Sequence, residues 1–495
     1  MKHAVVIGAG AAGLTAAILL GQRGWRVTVI EQHYRPGGCL HRFFRKGVGF
    51  DTGFHYVGSA RPGQSFGQVL RHLGVQPELQ PLDPDGFDVL RFPGLDFRVP
   101  EGLDRWAARL VEAFPDQAAG VARYVELHRQ CVAAYGLYRL DPGPAPEAVV
   151  PWEELTLGQV LVDCFSDPRA RAVVAGHGAP LYGVAPREAP FGVHCVVMDH
   201  FLGGAWTVRG GGDALAQALV DRVESLGGRV RLRTAADHIE VEGGAATAVV
   251  TEAGERLPAD LVIAGIHPKS VLAMLPEGSV RPAYRDRVEG ARSGRVHLGV
   301  YLQVRGDLSP LAGRNLYRYH HWDVDAIDDS AADDVPFWFL TAPGARGEGE
   351  GVVLGLTMTD AARWAPWQGV DLGRRPGGAP ARDIAYEAEK AKLLQAFCAR
   401  VQAEFPSWEI VRAEASSPLT MEHYTRVPGG ATYGHHHAVD QMGRYRLPML
   451  TRVKQLVQVG QAVAMPGVCG AMMSAYLAVG GMVGMTTMIE ELRAA

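Results

Sequence analysis

The sequence predicts an α/β protein: a parallel-sheet, dinucleotide-binding domain assembled from separated stretches of chain, with an inserted α+β domain. Three observations predict it. A strand, a glycine turn, a helix and a second strand open the chain; a glycine cluster opens a helix near residue 210; a third glycine signal precedes a long apolar helix at the end. At 495 residues, 47% hydrophobic and 21% charged, the chain can bury a large core. Its 61 glycines exceed the average share of about 7%. They follow no third-residue period, which excludes collagen, and the apolar content excludes disorder.

The first element is the strand at His3–Ile7, followed by Gly8-Ala9-Gly10-Ala11-Ala12-Gly13 and a helix over 14–22. A dinucleotide pyrophosphate needs this order: Gly8 allows the tight turn, Gly10 lets the backbone approach the phosphates, and Gly13 lets helix and strand pack closely. The helix N-terminus turns free N–H groups towards the anion. A second strand over 25–30 ends in Glu31, placed to accept hydrogen bonds from a ribose hydroxyl. Downstream, Gly210-Gly211-Gly212-Asp213 opens a helix over 214–226, and strands are expected at 229–232, 239–241, 247–251 and 261–264. No strand with the required spacing precedes the triplet, so one nucleotide site is expected, not two. Near the end, 455–461 reads as strand and turn, and Pro466-Gly467-Val468-Cys469-Gly470 introduces an apolar helix over 471–492. Ser474, Gly480, Gly481, Gly484, Thr486 and Thr487 interrupt its apolar run, which argues against a membrane span.

The segments between differ. Residues 76–205 hold a proline-rich stretch (Pro142, Pro144, Pro146, Pro151) and helices over 103–114 and 120–138; residues 281–420 mix strands at 296–304, 337–340 and 352–358 with a helix over 385–405 and a turn over 343–351. The net charge of −4 favours no polyanionic partner, and no nucleic acid is expected. Six singly scattered cysteines read as reduced thiols of a cytoplasmic protein. A strand beginning at residue 3 leaves no room for a signal peptide.

The glycine pair Gly37-Gly38, after Gln32-His33-Tyr34-Arg35-Pro36, resembles the extension found in flavoproteins of glutathione reductase and amine oxidase type, which implies FAD rather than NAD. Further on, Gly37 to Phe43 (GGCLHRF) and Gly49 to Gly58 (GFDTGFHYVG) resemble the retinol saturase and carotenoid isomerase group of phytoene desaturase-like flavoproteins. So do Ser417-Pro418-Leu419-Thr420, Gly429-Gly430-Ala431-Thr432-Tyr433-Gly434 and Val459-Gly460-Gln461; Gln461 stands where many relatives carry an acid. The resemblance runs through the chain in order and is strongest at both ends. It implies a Rossmann-type FAD domain made of 1–75, 206–280 and 421–495, and a substrate domain made of 76–205 and 281–420. Carried over by position, Gly8, Gly10, Ala12, Gly13, Glu31 and Gln32 hold the ADP half. Gly37, Gly38, Cys39 and His41 lie along the ribityl chain and ring, and Gly460, Gln461, Gly467, Val468 and Gly470 close the other side. Ala236, at a position commonly Val, lends its backbone to the adenine. The final helix would point its N-terminus at the ring.

The implied activity is saturation or isomerisation of a lipophilic conjugated polyene (carotenoid, retinoid or other isoprenoid) through reduced flavin. With one nucleotide motif, electrons come from an external donor, or the reaction is redox-neutral. Alternatives are an oxidative desaturase or amine oxidase using oxygen or quinone as acceptor, and a flavin-free prenyl-binding protein of the GDP dissociation inhibitor type. The last is disfavoured by the retained Glu31, Gly37 and Gly38. A lipophilic substrate also admits peripheral membrane contact. Flavin hydride chemistry needs a protein group to manage a proton beside the ring, and the candidates are His41, His55 and Tyr56. In the run His435-His436-His437, alternation along an extended chain lets only His435 and His437 share a side. No Cys or acid pair accompanies them, so no metal is expected, and a place in the substrate tunnel or near the flavin is. Cys39 lacks a nearby partner thiol and reads as packing.

Overall fold

The computed structural model describes residues 1–327, 335–345, 347–370 and 383–495. The opening strand His3–Ile7 is wholly buried and lies at the centre of a five-stranded parallel sheet. Arg26–Ile30 and then Arg229–Arg231 pair on one side of it, Leu261–Ala264 and then Leu456–Gln458 on the other. The sheet thus draws strands from both ends and the middle of the chain. Such parallel strands are covered on both faces, which is why they read as continuous Val, Ile and Leu. The helix Ala11–Gln22 is apolar nearly all round because it lies between the sheet and the helices Gly211–Ser225 and Gly467–Val483. An antiparallel sheet of Ala236–Glu242, Ala245–Thr251 and Arg256–Pro258 shares the core on the opposite side with the helices Pro268–Ala273 and Pro282–Glu289.

A second, seven-stranded sheet is built from the inserts in the order Glu409–Ser416, Val296–Asp307, Glu348–Thr359, Phe337–Thr341, Asn315–Tyr319, Asp88–Phe92, Leu95–Val99. Its one parallel pair joins Asn315–Tyr319 to Asp88–Phe92, uniting two segments more than two hundred residues apart. The helix Ile384–Glu404 packs on one face. The helices Pro168–Tyr182 and Phe191–Leu202 share the core on the other. A small antiparallel sheet pairs Ala205–Val208 with Val57–Gly58 and with Leu79–Pro81.

Several elements depart from expectation. The helix expected over 471–492 is two helices, Gly467–Val483 and Met485–Ala494, hinged at Gly484, whose φ of +101° glycine alone adopts without strain. No helix among the described residues is long and apolar enough to cross a membrane. The helix over 120–138 runs from Ala118 to Ala133 and restarts as Gly136–Arg139. The turn over 343–351 is shorter because Glu348–Thr359 extends to match all twelve residues of Val296–Asp307. A strand does precede the Gly210 cluster, Ala205–Val208, but it belongs to the small sheet, so the triplet is no second nucleotide turn. The six cysteines are free thiols.

Candidate flavin and substrate site

One cavity of about 1080 Å³ runs along the carboxyl ends of the parallel strands, where Ile7, Ile30, Gly265 and Val459 line it. This is the crevice in which open α/β sheets bind ligands. The opening turn behaves as the spacing requires. Gly8 has φ +96°, and a Cβ there would press against the Gly265 carbonyl at 3.0 Å. A Cβ on Gly13 would lie 2.1 Å from the Gly8 carbonyl oxygen, so Gly13 packs helix on turn and does not reach the cavity. A Cβ on Gly10 would meet nothing within 4 Å, leaving open space beside the start of the Ala11–Gln22 helix. That helix has no side-chain cap and no acid in its first turn, and the same holds for Gly467–Val483. Two helix N-termini therefore turn towards one crevice; in the second, the Gly467 N–H donates to Gln461 Oε1 at 3.4 Å. The Glu31 carboxylate accepts from the backbone N–H of Ala9 at 2.9 Å and of His33 at 2.8 Å. It keeps lone pairs for a ligand hydroxyl.

Gly8, Gly10, Ala12, Glu31, Gln32, Gly37, Gly38, Cys39, Ala236, Gly460, Gln461, Gly467, Val468 and Gly470 all line the cavity, as do His55 and Tyr56. His41, His435 and His437 do not, and these placements correct the sequence reading. His41 turns back onto its own loop, its Nδ1 hydrogen-bonded to the Gly38 carbonyl and its ring against His33. His437 bonds through Nε2 to the Gln461 carbonyl at 2.9 Å, so it positions a cavity-lining turn from behind. His435 lies beside it, ring centroids 5.9 Å apart. Burial depresses the His435 imidazole to about 4 and that of His437 to about 3. No group of three His, Cys, Asp or Glu side chains among the described residues could hold a metal ion.

Behind His55 and Tyr56 the structure gathers residues that lack local signatures. Tyr56 donates to the Asp88 carboxylate at 2.8 Å and shares a 2.6 Å hydrogen bond with the Tyr317 hydroxyl. Asp88 is fully buried and also receives His177 Nε2 at 2.6 Å and Asn315 Nδ2 at 2.7 Å. Burial, the Asp88 charge and Tyr317 together push the Tyr56 phenol well above its usual range. His55 is held down at about 4 by burial and by His297, so it is neutral near pH 7. His200, whose Nε2 accepts from the Gly58 N–H at 3.0 Å, and His297, bonded to Thr432 at 2.8 Å, also line the cavity and are held at about 4 by burial. The sequence offered one signal for this network: an acid alone in the apolar run Phe87-Asp88-Val89-Leu90.

A glycine cradle, an acid at the second strand and two helix ends without side-chain caps on one crevice fit a dinucleotide. The chain belongs to the flavin containing amine oxidoreductase family, whose model matches residues 11–365, and is an FAD-dependent oxidoreductase. Within that class it is similar to the all-trans-retinol 13,14-reductase of Rattus norvegicus, 27% identical over 96% of this chain and 84% of that protein. It is also similar to the phytoene desaturase (neurosporene-forming) of Cereibacter sphaeroides, 28% identical over 61% of this chain and 60% of that one. Among solved structures, cyclohexylamine oxidase from Brevibacterium oxydans superposes with a TM-score of 0.61 over 99% of both chains at 14% identity, a likeness of fold.

Proposed function

We propose that this enzyme saturates or isomerises a lipophilic conjugated polyene, with segments 1–75, 206–280 and 421–495 holding FAD and segments 76–205 and 281–420 holding the substrate. The observation that carries this reading is the continuity of the cavity. It leads from the glycine cradle into a chamber walled by Phe54, Leu181, Val196, Val197, Phe201 and Leu356. An extended apolar molecule gains about 25 cal/mol for each Å² it buries there. The similarity to a retinol reductase and a phytoene desaturase points to the same substrate class.

Bound flavin supplies hydride chemistry at its ring. Saturating one C=C bond also consumes a proton, and the chain provides a group for it. Tyr56 is a cavity-lining residue whose hydroxyl is tied to a buried network, with Tyr317 and the Asp88–His177 pair behind it. His55 stays neutral and shapes the chamber. Electrons come from an external donor, and a lipophilic substrate keeps peripheral membrane contact within this reading. Anaerobic reduction of the flavin-loaded enzyme followed by polyene addition tests it. Reoxidation accelerated by a polyene is the expected outcome for saturation, and double-bond rearrangement without net reoxidation that for isomerisation; neither, across a panel of polyenes, overturns the reading. The desaturase relative also favours the reverse reaction, oxidative desaturation, which would show as turnover in air or with quinone and no reductant.

A further inference from the structure

Beside the crevice, cations and aromatic rings share one exposed face. Tyr34, Phe44 and Tyr424 are 52%, 44% and 37% exposed. Arg35 lies over the Tyr34 and Phe44 rings at 5.8 and 5.1 Å, and Arg42 over Phe44 at 5.9 Å. The His33 ring bridges to Tyr424, its centroid 4.3 Å from that of Tyr34 and 5.7 Å from that of Tyr424. Arg233 donates its backbone N–H to the His33 carbonyl at 3.0 Å, and Arg412 reaches the Arg45 carbonyl at 3.4 Å. Tyr424 and Arg426 are exposed and also line the cavity, so the face continues into the crevice.

Three of these cations are paired: Arg35 with Asp213 at 3.1 Å, Arg42 with Asp51 at 3.5 Å and Arg45 with Glu414 at 3.0 Å. Lys46, Arg233, Arg412 and Arg426 have no acidic partner among the described residues. Three of those four hold a left-handed backbone, Lys46 at φ +49°, Arg233 at +52° and Arg426 at +56°. Lys46 sits in the turn between the strands Arg42–Arg45 and Val48–Asp51, and Arg426 caps the helix Pro418–Thr425. Glycine would hold each of these backbones with less strain. No hydrogen bond or ion pair of the three side chains within the described fold offsets that strain, so their use lies outside the fold. Exposed Tyr, Phe and Arg together are the composition of protein interfaces.

We propose that this face docks an acidic electron-carrier protein, the external donor of the polyene reading above, on which the inference rests. Carboxylates of the carrier meet Lys46, Arg233, Arg412 and Arg426, and attraction between unlike charges speeds the encounter. Two electrons leave the carrier's reduced centre and, with one proton from solvent, reduce the flavin to its hydride-donating form. The cavity also meets the surface at Ala145, Pro146 and Thr486, within segments 141–149 and 485–489 that contain no Lys or Arg. That opening suits an apolar substrate, or the lipid surface that delivers it. The cations instead border the cofactor side, where a reductant must approach, which favours a carrier protein over an anionic membrane.

The test uses the flavin-loaded enzyme, with an acidic iron–sulfur ferredoxin and an acidic flavodoxin as probes. Binding of the oxidised carriers is measured by calorimetry, and anaerobic reduction by the reduced carriers is followed in the flavin absorbance, with dithionite as a donor that needs no docking face. At least one carrier is expected to bind, and its reduction of the flavin to slow about tenfold or more from about 50 to about 500 mM salt. Lys46→Gly/Arg233→Gly is expected to melt no lower than the wild type, to bind the carrier about tenfold or more weakly and to be reduced by dithionite as before. Arg412→Glu, at a residue without a left-handed backbone, acts in the same direction on carrier binding. Absence of carrier binding by the wild type, or wild-type binding by both variants, overturns the docking surface. Binding of phosphatidylglycerol vesicles through these residues, with no carrier bound, assigns the face to a membrane and also overturns it. If a polyene still reoxidises the dithionite-reduced enzyme in those cases, the polyene reading stands. Carrier-driven reduction that no polyene reverses overturns that reading and leaves the docking surface.

Discussion

Gly10 and Gly13 are three residues apart and do different work. A side chain at Gly10 would enter open space at the helix start, whereas one at Gly13 would collide with the Gly8 carbonyl. Gly10→Val is therefore expected to fold with near-wild-type thermal stability but to purify without yellow colour, its side chain filling the phosphate position. Gly13→Val should lose at least about 1–3 kcal/mol to overpacking, read as a lowered melting temperature or insolubility. Tyr56 carries a third prediction. Tyr56→Phe keeps the ring on the cavity wall and deletes the hydroxyl between Tyr317 and Asp88. Polyene-driven reoxidation should slow by about 10²-fold or more, the usual share of a positioned proton donor, with flavin binding unchanged. Wild-type rates in Tyr56→Phe would remove Tyr56 from proton delivery.

At the scale of elements, the parallel pairing of Asn315–Tyr319 with Asp88–Phe92 is where the two inserts become one domain. Its Asn315 and Asp88 side chains hydrogen-bond across the join. Asp88 also anchors the helix Pro168–Tyr182 through His177 and the 51–58 loop through Tyr56. Removing this carboxylate strands three buried donors. Asp88→Ala should cost about 3–5 kcal/mol in urea unfolding, as expected when one partner of a buried pair is deleted. Asp88→Asn, which keeps the shape and part of the hydrogen bonding, should cost visibly less. Equal losses would mean that packing, not the polar network, holds the join. His437 acts on an element too, since its bond to the Gln461 carbonyl braces the turn between the last strand and the helix Gly467–Val483.

Over the whole molecule, burial keeps a set of histidines uncharged. His55, His200, His267 and His297 are held at about 4 and His437 at about 3, each chiefly by desolvation. In the unfolded chain these groups titrate near 6.5, so between that pH and about 4 the unfolded state binds more protons than the folded one. Stability from neutral imidazoles is then complete above pH 6.5 and is lost as pH falls through the window. For His297 alone the shift corresponds to roughly 3 kcal/mol at the acid end. The melting temperature is expected to drop steeply from pH 6.5 to pH 4. A flat profile would show that these imidazoles are reached by water or protonated in the fold.

Much of the nucleotide half was legible in sequence because its requirements are local. A turn at Gly8, open space at Gly10, close packing at Gly13 and an acid ending the second strand are fixed by spacing within thirty residues, and periods of two and 3.6 mark the flanking elements. The break at Gly484 was not legible, since the composition of 471–492 suits a helix and only the left-handed backbone at that glycine divides it. The histidines show the same limit. Their positions in motifs said nothing of direction, and the structure turns His55 to the cavity but His41, His435 and His437 away from it. By itself, the sequence determined the FAD-dependent class and the strand, glycine turn and helix that open the crevice. Only the tertiary structure decided which side chains meet behind the cavity wall: Tyr56 meets Asp88 and Tyr317, and Asp88 meets His177, across 32 to 261 residues of chain. Such contacts have no sequence period, because they arise from sheet pairing and helix packing that bring distant segments to one cavity.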